Sequence, residues 1–114
     1  MYKNELERFK KIIDEKYIYN SSKKALNELA EEFFSRDYQG ISKKQVKEVI
    51  FEFEKRFFLN VLSGAMKSER TEIDNIFSQM KTSLEVILDK SVEESMLEKI
   101  AGKLGPLNFK IFSK

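Results

Sequence analysis

The segment from Gly40 to Gly64, GISKKQVKEVIFEFEKRFFLNVLSG, has the longest uninterrupted helical pattern in the 114-residue chain. Ser42 and Gln45 have the spacing of a capping box, in which each side chain bonds to the other residue's backbone amide where a helix begins. Apolar residues then recur every three or four positions, which predicts one stripe of a helix. The members of this stripe are Val46, Val49, Ile50, Phe53, Phe57 and Val61.

The same segment carries a second apolar stripe beside the first, made of Phe51, Phe58 and Leu62. A helix that is apolar around much of its circumference is normally buried against several neighbours. We therefore expect the helix over 43–63 to be the central helix of a small all-helical domain.

Four further segments show helical apolar spacing, and caps or breakers separate them. Asp89 and Lys90 are expected to form a turn, after which Ser91 and Glu94 form a second capping box. Gly105-Pro106 should end the last helix, because proline cannot continue one. The fold expected is an all-α antiparallel four-helix bundle with a short fifth helix, in a single domain over 1–106. The predicted helices are 4–16, 23–36, 43–63, 72–88 and 92–103.

The final segment, 107–114, alternates apolar and polar residues, which predicts an extended C-terminal tail. Since no second strand is predicted, the tail either packs along the bundle or projects from it. Glu98 is the last acidic residue, so the end of the chain is positive. We take this basic, Phe-bearing end as the candidate partner-binding site: Lys99, Lys103, Leu107, Phe109, Lys110, Phe112 and Lys114.

The composition bears on the function classes that the chain can serve. Without cysteine or histidine, disulfides, Cys/His zinc sites and His-assisted nucleophiles are excluded. The four glycines are scattered and form no phosphate-binding loop. We therefore expect no enzymatic activity, no metal and no cofactor. No apolar run approaches the roughly 18 residues of a membrane span, and the charged N-terminus is unlike a signal peptide, so we expect a cytoplasmic protein.

Lys43, Lys44 and Lys47 follow the turn at Gly40 and begin the longest helix, which is the outline of a DNA recognition helix. However, this helix is too long and too apolar to lie with one face in a groove of DNA. The net charge of +2 is also too small to indicate a nucleic-acid partner. The sequence therefore favours a protein partner over nucleic acid.

Four stretches carry a resemblance to a known family: KALNELAEEF, KEVIFEFEKRFFLNVLSGAMK, EIDNIFSQMKTSLEVI and KIAGKLGPLNFKIF. With them, the chain resembles the immunity proteins of pediocin-like (class IIa) bacteriocins, most of all the carnobacteriocin type. The resemblance runs from residue 14 to residue 112 and includes the order of the helices and the aromatic end after a proline.

This resemblance implies a non-catalytic, cytoplasmic helical bundle that protects a Gram-positive producer cell from its own membrane-permeabilising peptide. The implied partner is a membrane permease of the mannose phosphotransferase type with bacteriocin bound to it. The protein would engage the permease from inside the cell, with a transient contact to the inner face of the membrane. The family's C-terminal half is linked to specificity, which here implies 72–88, 92–103 and the tail.

A second interpretation from a different class stays open: a small helical regulator, of phage or plasmid type, that binds a protein partner or DNA. The apolar stripes alone do not separate the two. The sequence also leaves open which bacteriocin would be countered, the oligomeric state, and the residues that contact a partner.

Overall fold

The computed structural model describes residues 2–16 and 20–112, with residues 20, 21, 98, 99 and 101–112 described by their backbone only. Within these ranges the regular secondary structure is entirely helical, which confirms the all-α class. The α-helices are α1 (Lys3–Lys16), α2 (Asn20–Phe34), α3 (Lys43–Arg56) and α4 (Arg70–Phe112). Between α3 and α4 lie a π-helical turn at Phe57–Val61 and 3-10 turns at Leu62–Gly64 and Lys67–Glu69.

The start of α3 is the one that the sequence predicts. The Ser42 amide donates to Gln45 Oε1 at 2.9 Å, and the Gln45 amide donates to Ser42 Oγ at 3.2 Å, so the capping box is complete. Gly40 precedes it with a φ of 79°, a left-handed conformation that glycine adopts without the strain of a Cβ. The turn and the cap together set where α3 begins.

Phe53 lies at the centre of the core, where three helices meet. Its ring packs edge-on against Phe33 of α2 at 5.1 Å between centroids, and stacks on Phe77 of α4 at 5.3 Å. Phe57, one turn later, also stacks on Phe77. Around these rings lie the other buried apolar side chains, among them Phe9, Ile13, Leu26, Leu29, Phe34, Val61, Ile73, Ile76, Met80, Leu84 and Leu88.

In the second apolar stripe Leu62 packs partly against the core, but the predicted burial is wrong for Phe51 and Phe58. Phe51 is 70% exposed and Phe58 is 63% exposed. The reason is the position of α1, which packs on α2 and α4: Phe9 of α1 contacts Phe34, and Arg8 bonds to Ser83 of α4 at 2.9 Å. One side of α3 therefore faces solvent.

The predicted turn at Asp89 and Lys90 is also wrong, because α4 runs through it as one helix of 43 residues. Ser91 does not cap a new helix. Its hydroxyl donates to the carbonyl of Ile87 at 3.0 Å, a bond to the preceding turn that leaves the helix intact. Leu88 and Val92 on either side of this bond are buried, so apolar packing continues across the predicted break.

The helix likewise continues through Gly105-Pro106 as far as Phe112, where the sequence predicted the end of a fifth helix and an extended tail. Residues 113 and 114 lie outside the described residues. Proline inside a helix costs about 3 kcal/mol, but it removes a single hydrogen-bond donor. The amides on either side keep theirs, so this cost does not forbid helix on both sides.

A buried glutamate that the sequence did not indicate holds the start of α4. Glu69 Oε1 accepts from the Ser22 hydroxyl of α2 at 2.8 Å and from the Met66 amide at 2.9 Å. These bonds tie the connection before α4 to the beginning of α2. Helix α4 therefore begins at Arg70, directly after this contact and ahead of the predicted start at residue 72.

Charged side chains link α2 to α3 beside the aromatic centre. Arg36 donates to both carboxylate oxygens of Glu52, at 3.1 and 3.3 Å, and to Glu32 at 3.0 Å. Arg56 donates to the other oxygen of Glu32 at 3.0 Å. The hydrogen bond from Arg36 is the main reason that the pKa of Glu52 is lowered.

We expect Phe53→Ala to destabilise the protein by about 3–5 kcal/mol, the usual cost of emptying a buried Phe site. Phe51→Ala, on the same helix but exposed, should cost about 0.5 kcal/mol or less. Urea denaturation followed by circular dichroism measures both. Equal losses in the two variants would contradict the placement of the core on one side of α3.

The Arg36–Glu52 pair predicts a pH dependence. Because the folded pKa of Glu52 is lowered, the pair's contribution is present above the unfolded pKa and is lost as pH falls through the folded value. When the pH falls below 4.5, the parent chain should therefore lose more stability than the Glu52→Gln variant does. The difference between the two losses should be up to about 1 kcal/mol for a pair this exposed. Glu48→Gln, an exposed change on the same helix, is the control and should follow the parent profile.

Candidate partner-binding groove

Helix α4 is longer than the rest of the molecule can cover. Its 43 residues span roughly 60 Å at 1.5 Å per residue, nearly the full length of the molecule, which measures 61 × 25 × 18 Å. The radius of gyration is 18.0 Å, against about 13 Å for a compact chain of this length. Because α1 and α2 have 14 and 15 residues, the C-terminal part of α4 extends past the bundle.

A groove of about 540 Å³ lies where α4 leaves the bundle, between that helix and the first two turns of α3. Its floor is apolar and is made of Val46, Val92, Met96, Leu97 and Ile100. Its rims are charged: Lys43 and Lys47 on the α3 side, Asp89 and Glu93 on the α4 side. We call this surface the α3–α4 groove.

The floor of the groove changes from covered to open along α4. Val92 is 8% exposed, whereas Met96, Leu97 and Ile100 are 48%, 60% and 50% exposed. Isolated exposed apolar residues are ordinary, but a contiguous set in a concave surface with a polar rim is typical of a binding site. The rims are of opposite sign, so the groove is suited to an apolar segment that carries charges of both signs.

The residues predicted to bind a partner lie beyond this groove. The backbone of α4 includes Lys99, Lys103, Leu107, Phe109, Lys110 and Phe112, and their side chains are outside the described set. Lys114 lies outside the described residues. None of these residues lines the α3–α4 groove.

Met96, Leu97 and Ile100 lie within the predicted fifth helix at the spacing of an apolar stripe, and helical spacing alone did not indicate that they are exposed. Val46 was likewise assigned to the core, and it is half-buried on the groove's floor.

Among the described residues, no group of three or more Asp and Glu side chains is placed to hold a metal ion. In the same ranges, no helix combines the length and apolarity needed to cross a bilayer. The chemistry that the groove offers is apolar contact area with charges at its edges.

Comparisons with protein-family models, with curated proteins and with solved structures gave no match to this chain.

We expect Val92→Ala to destabilise the protein by about 1.5 kcal/mol, since it removes two buried methyl groups. Leu97→Ala, slightly more than one turn later, should change stability by about 0.5 kcal/mol or less because Leu97 is exposed. Denaturant unfolding compares the two. A larger loss at Leu97 than at Val92 would mean that the groove is already covered in solution.

Proposed function

We propose that this chain is a bacteriocin immunity protein that protects a Gram-positive producer cell from a pediocin-like peptide. The observation that carries the proposal is the open α3–α4 groove in the C-terminal half of the chain. The resemblance described above links that half to specificity, and an apolar groove with charged rims is suited to binding rather than turnover.

The proposal includes the antiparallel arrangement of the helices, and several contacts support it. The Tyr2 amide donates to the Phe34 carbonyl, which joins the start of α1 to the end of α2. Arg36, just past the end of α2, pairs with Glu52 of α3, whereas Glu32, about one turn earlier, pairs with Arg56 at the end of α3, as expected if the two helices run in opposite directions. Lys81 pairs with Glu54 at 3.2 Å, while Lys43 lines the same groove as Val92 and Met96, which is the pattern expected if α3 and α4 run in opposite directions.

In this proposal the protein acts in the cytoplasm at the inner face of the membrane. Its partner is a permease of the mannose phosphotransferase type with bacteriocin bound. Exposed Leu97 and Ile100 would supply the apolar part of the contact. The lysines that follow Glu98 in the sequence would favour the anionic membrane surface, at about 1 kcal/mol for each lysine close to it.

A regulator that binds DNA is the second candidate, and one observation favours it: Lys43, Lys44 and Lys47 are all exposed at the start of α3. Such binding would weaken steeply with salt, because lysines displace counterions from phosphates. A gel-shift titration of the purified chain at two salt concentrations separates this candidate from the first. Salt-sensitive binding that Lys44→Glu abolishes would favour DNA.

The test of the immunity proposal uses Leu97→Asp, with Phe51→Asp as the matched control. Both residues are large, apolar and exposed, but only Leu97 lines the groove. Expressed in a bacteriocin-sensitive cell, the Leu97 variant should lose at least about 10-fold of its protection, equivalent to about 1.4 kcal/mol of binding free energy. The Phe51 variant should protect like the parent chain.

Thermal melting of both purified variants shows whether each remains folded, and melting temperatures within a few degrees of the parent are expected. Full protection by a folded Leu97→Asp chain would remove the groove from the mechanism. If the intact chain protects against no member of a panel of pediocin-like bacteriocins, the immunity proposal itself is wrong.

A further inference from the structure

We propose that the side of α3 turned away from the core binds the surface of an anionic lipid bilayer. We call this side, with the π-helical turn that continues it, the outer α3 face. It is separate from the α3–α4 groove except at Lys47, which also lies on the groove's rim. This inference does not depend on the proposed function. The residues of the outer α3 face are Lys44, Lys47, Phe51, Lys55, Phe58 and Leu59.

The apolar residues of this face are exposed together. Leu59, like Phe51 and Phe58, has more than half of its surface in contact with solvent. Phe51 and Phe58 are separated by about two turns, or about 10 Å along the axis, so their side chains leave the helix on one side. A helix that lies parallel to a surface can therefore insert both rings into that surface at once.

The π-helical turn after α3 sets where the outer α3 face ends. The Leu62 amide donates to the carbonyl of Phe57, five residues back instead of four. This wider turn rotates the residues that follow it. Leu62, which α-helical spacing would place beside Phe58, packs partly against the core instead. Phe58 and Leu59 lie within the turn and remain exposed, so the apolar part of the face ends with them.

The outer α3 face is basic. Lys44, Lys47 and Lys55 are exposed, and none of them forms an ion pair within the part of the chain that the structure describes. The acidic residue next to them on this side of α3 is Glu48. Three lysines beside one glutamate leave an excess of positive charge around the exposed rings.

The carboxylates at the edges of this face are engaged within the bundle. Glu52 pairs with Arg36 at 3.1 Å and with Arg56 at 3.6 Å. Glu54 pairs with Lys81 of α4 at 3.2 Å. The positive charge of the outer α3 face therefore remains available to an anion from outside the chain.

The position of Lys55 favours lipid over a protein as the occupant. Lys55 follows Phe51 by four residues and precedes Phe58 by three, so it lies between the two rings on the same side. The centres of protein–protein interfaces are depleted in lysine, and a second copy would bring further lysines into the contact. At a bilayer surface the rings enter the acyl boundary, while the lysine stem lies along them and its ammonium reaches a lipid phosphate. Anionic lipids supply the complementary charge.

The absence of tryptophan allows insertion to be observed directly. Phe58→Trp places one fluorophore on the outer α3 face. Val86→Trp is the matched control, because Val86 of α4 is almost equally exposed but lines a cleft with Asn4 and Arg8 of α1. With vesicles of phosphatidylglycerol and phosphatidylcholine in equal parts, the emission of the Phe58 variant should shift to shorter wavelength and be quenched by brominated acyl chains. The Val86 variant should show neither effect.

Sedimentation with the same vesicles measures the affinity of further variants. Lys55→Glu should weaken binding at least about fivefold, the factor that one lysine close to an anionic surface contributes. Lys11→Glu makes the same change of net charge on an exposed residue of α1, and it should alter binding by less than about twofold because distant charges are screened at physiological salt. Phe58→Ala should weaken binding about tenfold, since less apolar surface leaves water. Thermal melting establishes that each variant is folded.

Failure of the intact chain to sediment with the mixed vesicles overturns the proposal, as does equal binding to vesicles of phosphatidylcholine alone. Bound Phe58→Trp protein without a spectral shift means that another surface faces the lipid. Equal losses in Lys55→Glu and Lys11→Glu mean that net charge alone drives binding. Self-association without lipid that Phe58→Ala abolishes, measured by light scattering, assigns the outer α3 face to a second copy. The vesicles hold neither permease nor bacteriocin, so these outcomes are separate from those of the immunity test.

Discussion

The length of α4 is the constraint on which the rest of the structure depends. The buried residues of α4 from Ile73 to Val92 match the helices available to cover them, so this half completes the core. The helix continues past Ser91, whose hydroxyl bonds back to the carbonyl of Ile87 and therefore caps no new helix. Met96, Leu97 and Ile100 follow the same periodicity without a neighbour to cover them. The groove is therefore the continuation of the core's own apolar stripe beyond the core.

The aromatic contacts around Phe53 explain how the bundle stays ordered although the C-terminal part of α4 extends past it. Phe53 contacts rings from α2 and α4 at the same time, so the position of each helix constrains the other two. Offset and edge-on ring pairs add roughly 0.5–1.5 kcal/mol each beyond burial. Arg36 lies 4.4 Å above the ring of Phe33 and also bonds to Glu52, so the polar layer lies against the aromatic one. The ring contacts and the ion pairs therefore both hold α2 against one and the same side of α3.

The sequence predicted correctly those features that depend only on residues close together in the chain. The capping box at Ser42 and Gln45 and the turn at Gly40 depend on residues within a turn of each other. The burial of Phe53 and Phe57 was predicted from helical spacing, although the rings of Phe33 and Phe77 on other helices are what bury them. The errors arose where the outcome depends on distant neighbours. Phe51 and Phe58 have the same spacing as buried residues, and only the position of α1 decides that nothing covers them. Ser91 could cap a new helix or bond back within an old one, and the burial of Leu88 and Val92 decides between them.

The candidate site was harder to predict than the fold for the same reason. A stripe such as Met96, Leu97 and Ile100 has one sequence pattern whether it meets a neighbouring helix, a partner, or the end of its own chain. The charged residues help to identify the site only once the fold is known. Lys43 and Lys47 belong to a different helix from Asp89 and Glu93, and these residues form rims only when α3 and α4 pack together. Phe51 and Phe58 are as exposed as Leu97, yet they lie outside the groove. Concavity and paired rims, rather than exposed area, distinguish the groove as the surface where binding would be selective.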